Sequence, residues 1–151
     1  MSEAAQSTFI YVTYIRTSAE KLWTALTTAE FTKQYWLGAQ LISDWKPGGS
    51  WKLQFTDGRV ADTGEVLEID PPRRLVLRWH HEFRPELKAE GPATCVFELE
   101  PNGDIVKLTV THSSVRADSK LIVAVSGGWP KILSNLKSLL ETGKPIAIEK
   151  F

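Results

Sequence analysis

The sequence predicts an α+β domain in which one antiparallel β-sheet grips a single long helix near the C-terminus. Two patterns lead to this prediction. Residues 39–112 form short segments of alternating apolar and polar side chains separated by turn residues, which is typical of antiparallel strands. In residues 127–141, apolar side chains instead recur at three- and four-residue steps and so share one face of a helix. That face needs a partner, and no comparable long helix is predicted upstream.

The length of 151 residues fits one domain, which we place at residues 7–143 with tails at 1–6 and 144–151. Basic and acidic residues number 18 each, so the chain has no overall positive charge to attract nucleic acid or an anionic membrane. The single cysteine, Cys95, cannot form an internal disulfide, which favours a reducing compartment. With no signal-peptide pattern and no apolar run near the roughly 20 residues that span a bilayer, we expect a cytoplasmic protein.

The first elements are one strand and two short helices. Residues 8–16 are rich in β-branched and aromatic types, as in a strand. Ser18 stands at the N-cap position of a first helix, and Thr28 is expected to cap a second helix over residues 29–36, which Gly38 ends. Both helices are too short to be stable alone, so packing must hold them.

The central part of the chain is predicted to form consecutive β-hairpins, with a longer strand at 60–69 and a polar loop at 82–92. The alternation predicts inward-facing side chains on five other strands, namely Leu41, Ser43, Trp45; Trp51, Leu53, Phe55; Leu75, Leu77, Trp79, His81; Ala93, Cys95, Phe97, Leu99; and Val106, Leu108, Val110, His112. Val76, Val96 and Ile105 are then exposed apolar residues, but only as scattered singles.

The segment 117–126 fits either a strand or a helix. Four- and seven-residue steps back from Trp129 reach Val125 and Ile122, which favours a helix. Pro130 would then lie inside this helix, with a kink beside the preceding glycine pair. In the alternative, a new helix begins with Pro130 in its first turn, a position that proline tolerates.

Several segments, in order along nearly the whole chain, resemble a known family: residues 18–27, 35–36, 47–51 (Pro-Gly-Gly-Ser-Trp), 64–75 (Gly-Glu-Val-Leu-Glu-Ile-Asp-Pro-Pro-Arg-Arg-Leu) and 128–140. This is the family named after the activator of the heat-shock-protein-ninety ATPase, within the START-like (SRPBCC, birch-pollen-allergen-like) superfamily of helix-grip proteins. The resemblance implies six or seven strands curled around the long helix with an apolar cavity between them. It implies no single activity, because the superfamily spans lipid carriers, hormone receptors, cyclases and hydrolases.

The six tryptophans point to the space between sheet and helix, because large aromatic rings either fill a core or line a cavity. The predicted ligand-binding residues are Trp36, Trp51, Phe55, Trp79, His81, Cys95, Phe97, His112, Val125, Trp129 and Leu133. A buried imidazole without a partner costs about 1–3 kcal/mol, so each histidine in this set needs a hydrogen-bond partner or a ligand. Cys95 is expected to act as a small apolar residue. The histidines and Cys95 lack metal-ligand spacing, and we expect no metal or cofactor.

Three functions remain open from the sequence. The first is non-catalytic binding of a small hydrophobic or amphipathic ligand, including lipids, in a cavity of several hundred Å³. The second is an enzyme, such as a cyclase or hydrolase, that uses His81 or His112 as its acid–base group. The third is a protein-interaction module that binds a chaperone in a stress response or forms a homodimer.

Overall fold

The structure, a computed structural model, describes residues 6–146; residues 1–5 and 147–151 of the predicted tails lie outside this range. In chain order the elements are β1 (Ser7–Ile15), α1 (Ala19–Thr27), α2 (Ala29–Tyr35), β2 (Gln40–Ser43), β3 (Ser50–Gln54), β4 (Val60–Asp70), β5 (Arg74–His81), α3 (Pro85–Lys88), β6 (Ala93–Asn102), β7 (Ile105–Ser114) and α4 (Lys120–Thr142). The strands form one antiparallel sheet in the order β1-β7-β6-β5-β4-β3-β2. The predicted α+β helix-grip architecture is therefore confirmed.

The long C-terminal helix α4 is continuous and passes through Pro130. The strand alternative for this segment and a new helix start at Pro130 are therefore both wrong, while the kink stays a prediction. Ser119 caps the N-terminus by accepting a hydrogen bond from the amide of Ile122, and Gly143 ends the helix in a left-handed conformation with φ of 86°. One face of α4 is buried, and its residues are Leu121, Ile122, Trp129, Ile132, Leu133, Asn135, Leu136 and Leu139.

The two short helices pack under one end of the sheet. Ser18 caps α1 as predicted, with its side chain accepting from the amide of Lys21. Thr28 occupies the N-cap position of α2, but its side chain makes no capping hydrogen bond. Packing holds α2 instead, since Tyr35 is fully buried and its hydroxyl donates to the carbonyl of Ala25 at 2.9 Å.

The inner face of the sheet carries the core, as the alternation predicts. On β6 and β7 the inward residues Cys95, Phe97, Leu99, Val106, Leu108, Val110 and His112 are all buried. The outer face differs from expectation. Val76 is buried at 8% exposure because its cross-strand neighbours Val96 and Glu68 flank it, while Val96 and Ile105 are half-buried. The exposed large apolar side chains on the strands are instead Ile10, Val12 and Tyr14 on β1 and Leu67 on β4.

Gly64 makes room for two indole rings on the inner face. It pairs with Trp51 on β3 and with Trp79 on β5, and the two ring centroids approach to 4.6 Å. The Trp51 Nε1–H donates to the carbonyl of Arg78 at 3.0 Å, beside the α-carbon of Gly64. A Cβ at position 64 would lie 1.8 Å from that carbonyl oxygen and 2.5 Å from Trp51 Nε1. Only glycine fits this position.

Gly64→Ala is accordingly expected to lower the free energy of unfolding by roughly 2–4 kcal/mol, because backbone and indole must both move. Gly127→Ala is the matched control, since a Cβ there meets nothing within 4 Å and the site is helical. We expect the control to gain up to about 1 kcal/mol from helix propensity. Urea unfolding of both variants measures the difference, and equal effects would contradict the steric argument.

Candidate functional site

A cavity of about 200 Å³ lies between the sheet and the N-terminal half of α4. It is closed on the sides by the end of α2 and by α3, and it reaches the surface at Arg84, whose side chain is 55% exposed. Its lining residues are Trp36, Leu53, Asp62, Trp79, His81, Arg84, Leu87, Leu121, Ala124, Val125, Gly128, Trp129 and Ile132. The space is smaller than the several hundred Å³ expected from the sequence.

Five predicted site residues line this cavity: Trp36, Trp79, His81, Val125 and Trp129. The other six do not line it: Trp51, Phe55, Cys95, Phe97, His112 and Leu133. Five of these six are buried in the core, while Phe55 is half-buried and packs edge-on against Phe83. The alternation pattern identifies which side chains point inward, but it does not separate those that border a cavity from those packed behind them.

Aromatic rings pack around Trp129 in the space between the sheet and α4. The ring of Trp129 lies 5.5 Å from that of Trp36, 5.7 Å from Phe97 and 5.9 Å from Trp79, each edge to face. These distances and angles are those that aromatic pairs prefer. The cavity is the space that these rings leave unfilled beside the N-terminal half of α4.

A buried carboxylate forms the polar corner of the cavity. Asp62 Oδ1 accepts from Trp79 Nε1 and from His81 Nδ1, both at 2.9 Å. Because a carboxylate only accepts, His81 Nδ1 carries a proton, and in the neutral imidazole Nε2 then carries the lone pair. That Nε2 is buried and has no hydrogen-bond partner among residues 6–146.

Asp62 is not among the site residues predicted from the sequence. A signal for it exists, since Asp62, Gly64 and Val66 alternate along β4 and share the inner face. A lone acid among inward-facing positions of a strand needs buried partners, and here the indole N–H and the imidazole supply them. The other unpredicted lining residues are apolar or glycine, apart from Arg84.

His112 is enclosed in the core and takes no part in the cavity wall. Its Nδ1 accepts from Trp129 Nε1 at 3.1 Å, so its own proton is on Nε2, which is buried without a partner in the described chain. Burial lowers the pKa of His112 to about 3. The same environment raises the pKa of the Cys95 thiol, which pairs across the strands with His112. Both side chains are therefore neutral at physiological pH, and neither is placed for acid–base work on a ligand.

The loop predicted at 82–92 contains the short helix α3 and closes one side of the cavity. Leu87 of α3 is 2% exposed and lines the space. Glu90 fastens the loop to α4, because its carboxylate accepts from Ser119 Oγ at 2.6 Å and from the amide of Lys120 at 2.7 Å. Burial works to raise the pKa of Glu90, but the hydrogen bonds from Ser119 and the α4 amides outweigh it and the pKa lies below its ordinary value.

Comparison with known proteins places this architecture in a family. Residues 16–141 match the family model described as "Activator of Hsp90 ATPase homolog 1-like protein". The chain belongs to this family. No protein of curated function matches it significantly.

Solved structures of other proteins share this fold. CalU16 from Micromonospora echinospora is 22% identical with a TM-score of 0.73, and the alignment covers 94% of this chain and 78% of that one. An HSP90 activator from Plasmodium falciparum is 24% identical with a TM-score of 0.72, over 88% and 95% of the two chains. The Aha1 dimer from Colwellia psychrerythraea is 24% identical with a TM-score of 0.74, over 91% and 98%. At these identities the likeness shows the fold.

In the part of the chain that the structure describes, no three His, Cys, Asp or Glu side chains are grouped to hold a metal ion. Over the same residues, none of the helices has the length and apolarity needed to cross a bilayer.

The depressed pKa of His112 predicts a specific acid sensitivity. Between pH 6.5 and about 3 the unfolded chain binds a proton on this histidine that the folded protein does not, so stability falls as the pH falls. The loss amounts to at most about 1.4 kcal/mol for each pH unit in that window. His112→Asn retains an acceptor for the Trp129 indole but cannot be protonated there. Urea unfolding from about pH 7 to about pH 4.5 measures the free energy of unfolding of both proteins. The difference between wild type and variant should become smaller as the pH falls, because the wild type alone loses stability through His112. A difference that stays constant would contradict the lowered pKa of His112.

Glu90→Gln should loosen the loop that closes the cavity. The change removes the charge that accepts from Ser119 and Lys120. Because the carboxylate is partly solvated, we expect a loss of about 1 kcal/mol. Amide hydrogen exchange should accelerate in residues 82–92 and in the first turn of α4. Glu86→Gln, which breaks an exposed ion pair with Arg84 in the same loop, is the control and should leave those rates near wild type.

Proposed function

We propose that this protein binds a small, predominantly apolar molecule in the cavity between the sheet and α4. The observation that carries the proposal is an apolar space walled by the indoles of Trp36, Trp79 and Trp129 and bordered at one corner by Asp62 and His81. Pockets with mostly apolar walls and a few convergent polar groups are the usual form of small-molecule sites. The polar corner would orient the ligand, and the indoles would supply contact area.

The volume limits the ligand to about one ring. An apolar cavity of about 150 Å³ is enough to admit benzene, and the present cavity of about 200 Å³ is only slightly larger. A long-chain lipid, which the sequence alone allowed, would need Leu87 and the rest of α3 to move outward. A single-ring aromatic compound with a small substituent is the best match to the walls.

An enzyme that uses the same cavity is the second candidate. The pair formed by Asp62 and His81 favours it, because a carboxylate that holds one nitrogen of an imidazole leaves the other nitrogen available as a proton acceptor. His112 does not support this candidate, since it is enclosed and its pKa is lowered to about 3.

Binding is tested by filling the cavity from one side of α4. Gly128 lines the space and Gly127 is exposed next to it, and a Cβ at either position meets nothing within 4 Å. We expect toluene to bind wild type saturably, to change its tryptophan fluorescence and to raise its melting temperature. Gly128→Leu should lose at least about tenfold in affinity because its side chain occupies the cavity.

Gly127→Leu is the matched control, since it adds the same side chain to the same helix but on the solvent side. It should bind toluene with wild-type affinity. Equal affinities of the two variants, or no saturable binding by wild type, would exclude this cavity as the binding site.

A further inference from the structure

We propose that His81 accepts a hydrogen bond from a hydroxyl group of the ligand, which makes the cavity a site for a single-ring phenol. In this proposal Asp62 is a positioning residue that holds the imidazole with Nε2 as the acceptor. The inference rests on the proposed function, because it assigns the polar group of the molecule that the cavity would bind.

The hydrogen bonds of His81 determine which nitrogen is free. Nδ1 lies 2.9 Å from Asp62 Oδ1, and the same oxygen also accepts from Trp79 Nε1. With two donors on that oxygen, the imidazole ring is held in one orientation and one tautomer. Nε2 is therefore the acceptor, and its donor must be a group other than Asp62, which already binds Nδ1.

Within the described residues, 6–146, the free nitrogen has no hydrogen-bond donor. His81 Nε2 is buried and unpartnered, although the side chain as a whole is 14% exposed and lines the cavity. Leaving such an atom unpaired costs about 1–3 kcal/mol, so a donor that enters the cavity would recover this energy. Without a ligand, a water molecule could supply part of it.

Local charge selects a neutral donor. The Asp62 carboxylate is hydrogen-bonded to the His81 ring, and its negative charge disfavours a second anion in the cavity, such as a carboxylate-bearing ligand. The one basic side chain in the lining is Arg84, and it is paired with Glu86 at 2.8 Å at the rim. A phenolic hydroxyl is a good neutral donor, and its ring fits between the indoles of Trp36, Trp79 and Trp129.

The test compares para-cresol with para-xylene, which has a methyl group in place of the hydroxyl and nearly the same shape. Their dissociation constants are measured on wild type and on two variants by isothermal titration and tryptophan fluorescence. His81→Asn keeps a donor near the position of Nδ1 for Asp62 but removes the acceptor at Nε2. His81→Gln places an amide oxygen near Nε2 and loses the contact with Asp62.

We expect His81→Asn to weaken para-cresol binding about tenfold while para-xylene affinity stays within about twofold. His81→Gln should recover much of the cresol affinity. Asp62→Asn should lower the ratio of cresol to xylene affinity less than His81→Asn does, because the amide oxygen still accepts from Trp79 and His81 but lacks the charge that makes Nε2 a stronger acceptor. A change in folding would affect both probes alike, so the ratio separates a positioning role from a structural one.

Each other outcome has a definite meaning. If both probes bind wild type and His81→Asn leaves their affinity ratio unchanged, water satisfies the histidine and this inference is wrong while the proposed function stands. If His81→Gln and His81→Asn weaken cresol equally, the acceptor position is wrong. If neither probe binds wild type, the cavity is not a site for single-ring ligands and both proposals fail.

Discussion

The packing of Trp129 against the inner face of the sheet holds the two layers of this protein together. Its ring contacts those of Trp36, Trp79 and Phe97, and its Nε1–H donates to His112. These partners come from α2, β5, β6 and β7, so one side chain of α4 joins most of the fold. The indole N–H satisfies a buried imidazole nitrogen at the same time, so removing the ring would open a void and leave a polar atom unpaired.

This filling of the interior explains both the size and the position of the cavity. A sheet curved around one helix encloses more space than the helix occupies, and here aromatic and aliphatic side chains together fill much of that space. The free part lies at the start of α4, where Ala124 and Gly128 present little or no side chain. The family model matches residues 16–141, and the solved structures described above share the fold at less than 25% identity. The binding properties must therefore be argued from this chain's own residues.

Buried polar groups divide into two kinds in this interior. His112 has a depressed pKa and is enclosed by rings, so it acts as a neutral structural acceptor for Trp129. Both histidines leave one buried imidazole nitrogen unpaired within residues 6–146, but His81 lines the cavity and His112 does not. At the cavity wall, Asp62 Oδ1 accepts from both His81 and Trp79. Such an unpaired nitrogen is a cost to folding unless another molecule pairs with it, which is why the polar corner carries the functional inference.

The sequence by itself determined the α+β class, the inward faces of the strands and the buried stripe of α4, because side-chain periodicity follows directly from strand and helix geometry. It also indicated that Ser18 starts a helix, since a serine cap acts locally. Only the tertiary structure decided that Pro130 lies within a continuous helix, that Leu87 closes the cavity and that Asp62 joins His81. These features depend on which side chains from distant segments meet, and on how completely they fill the space between the sheet and α4. Periodicity gives the direction of a side chain, but long-range packing decides its neighbours.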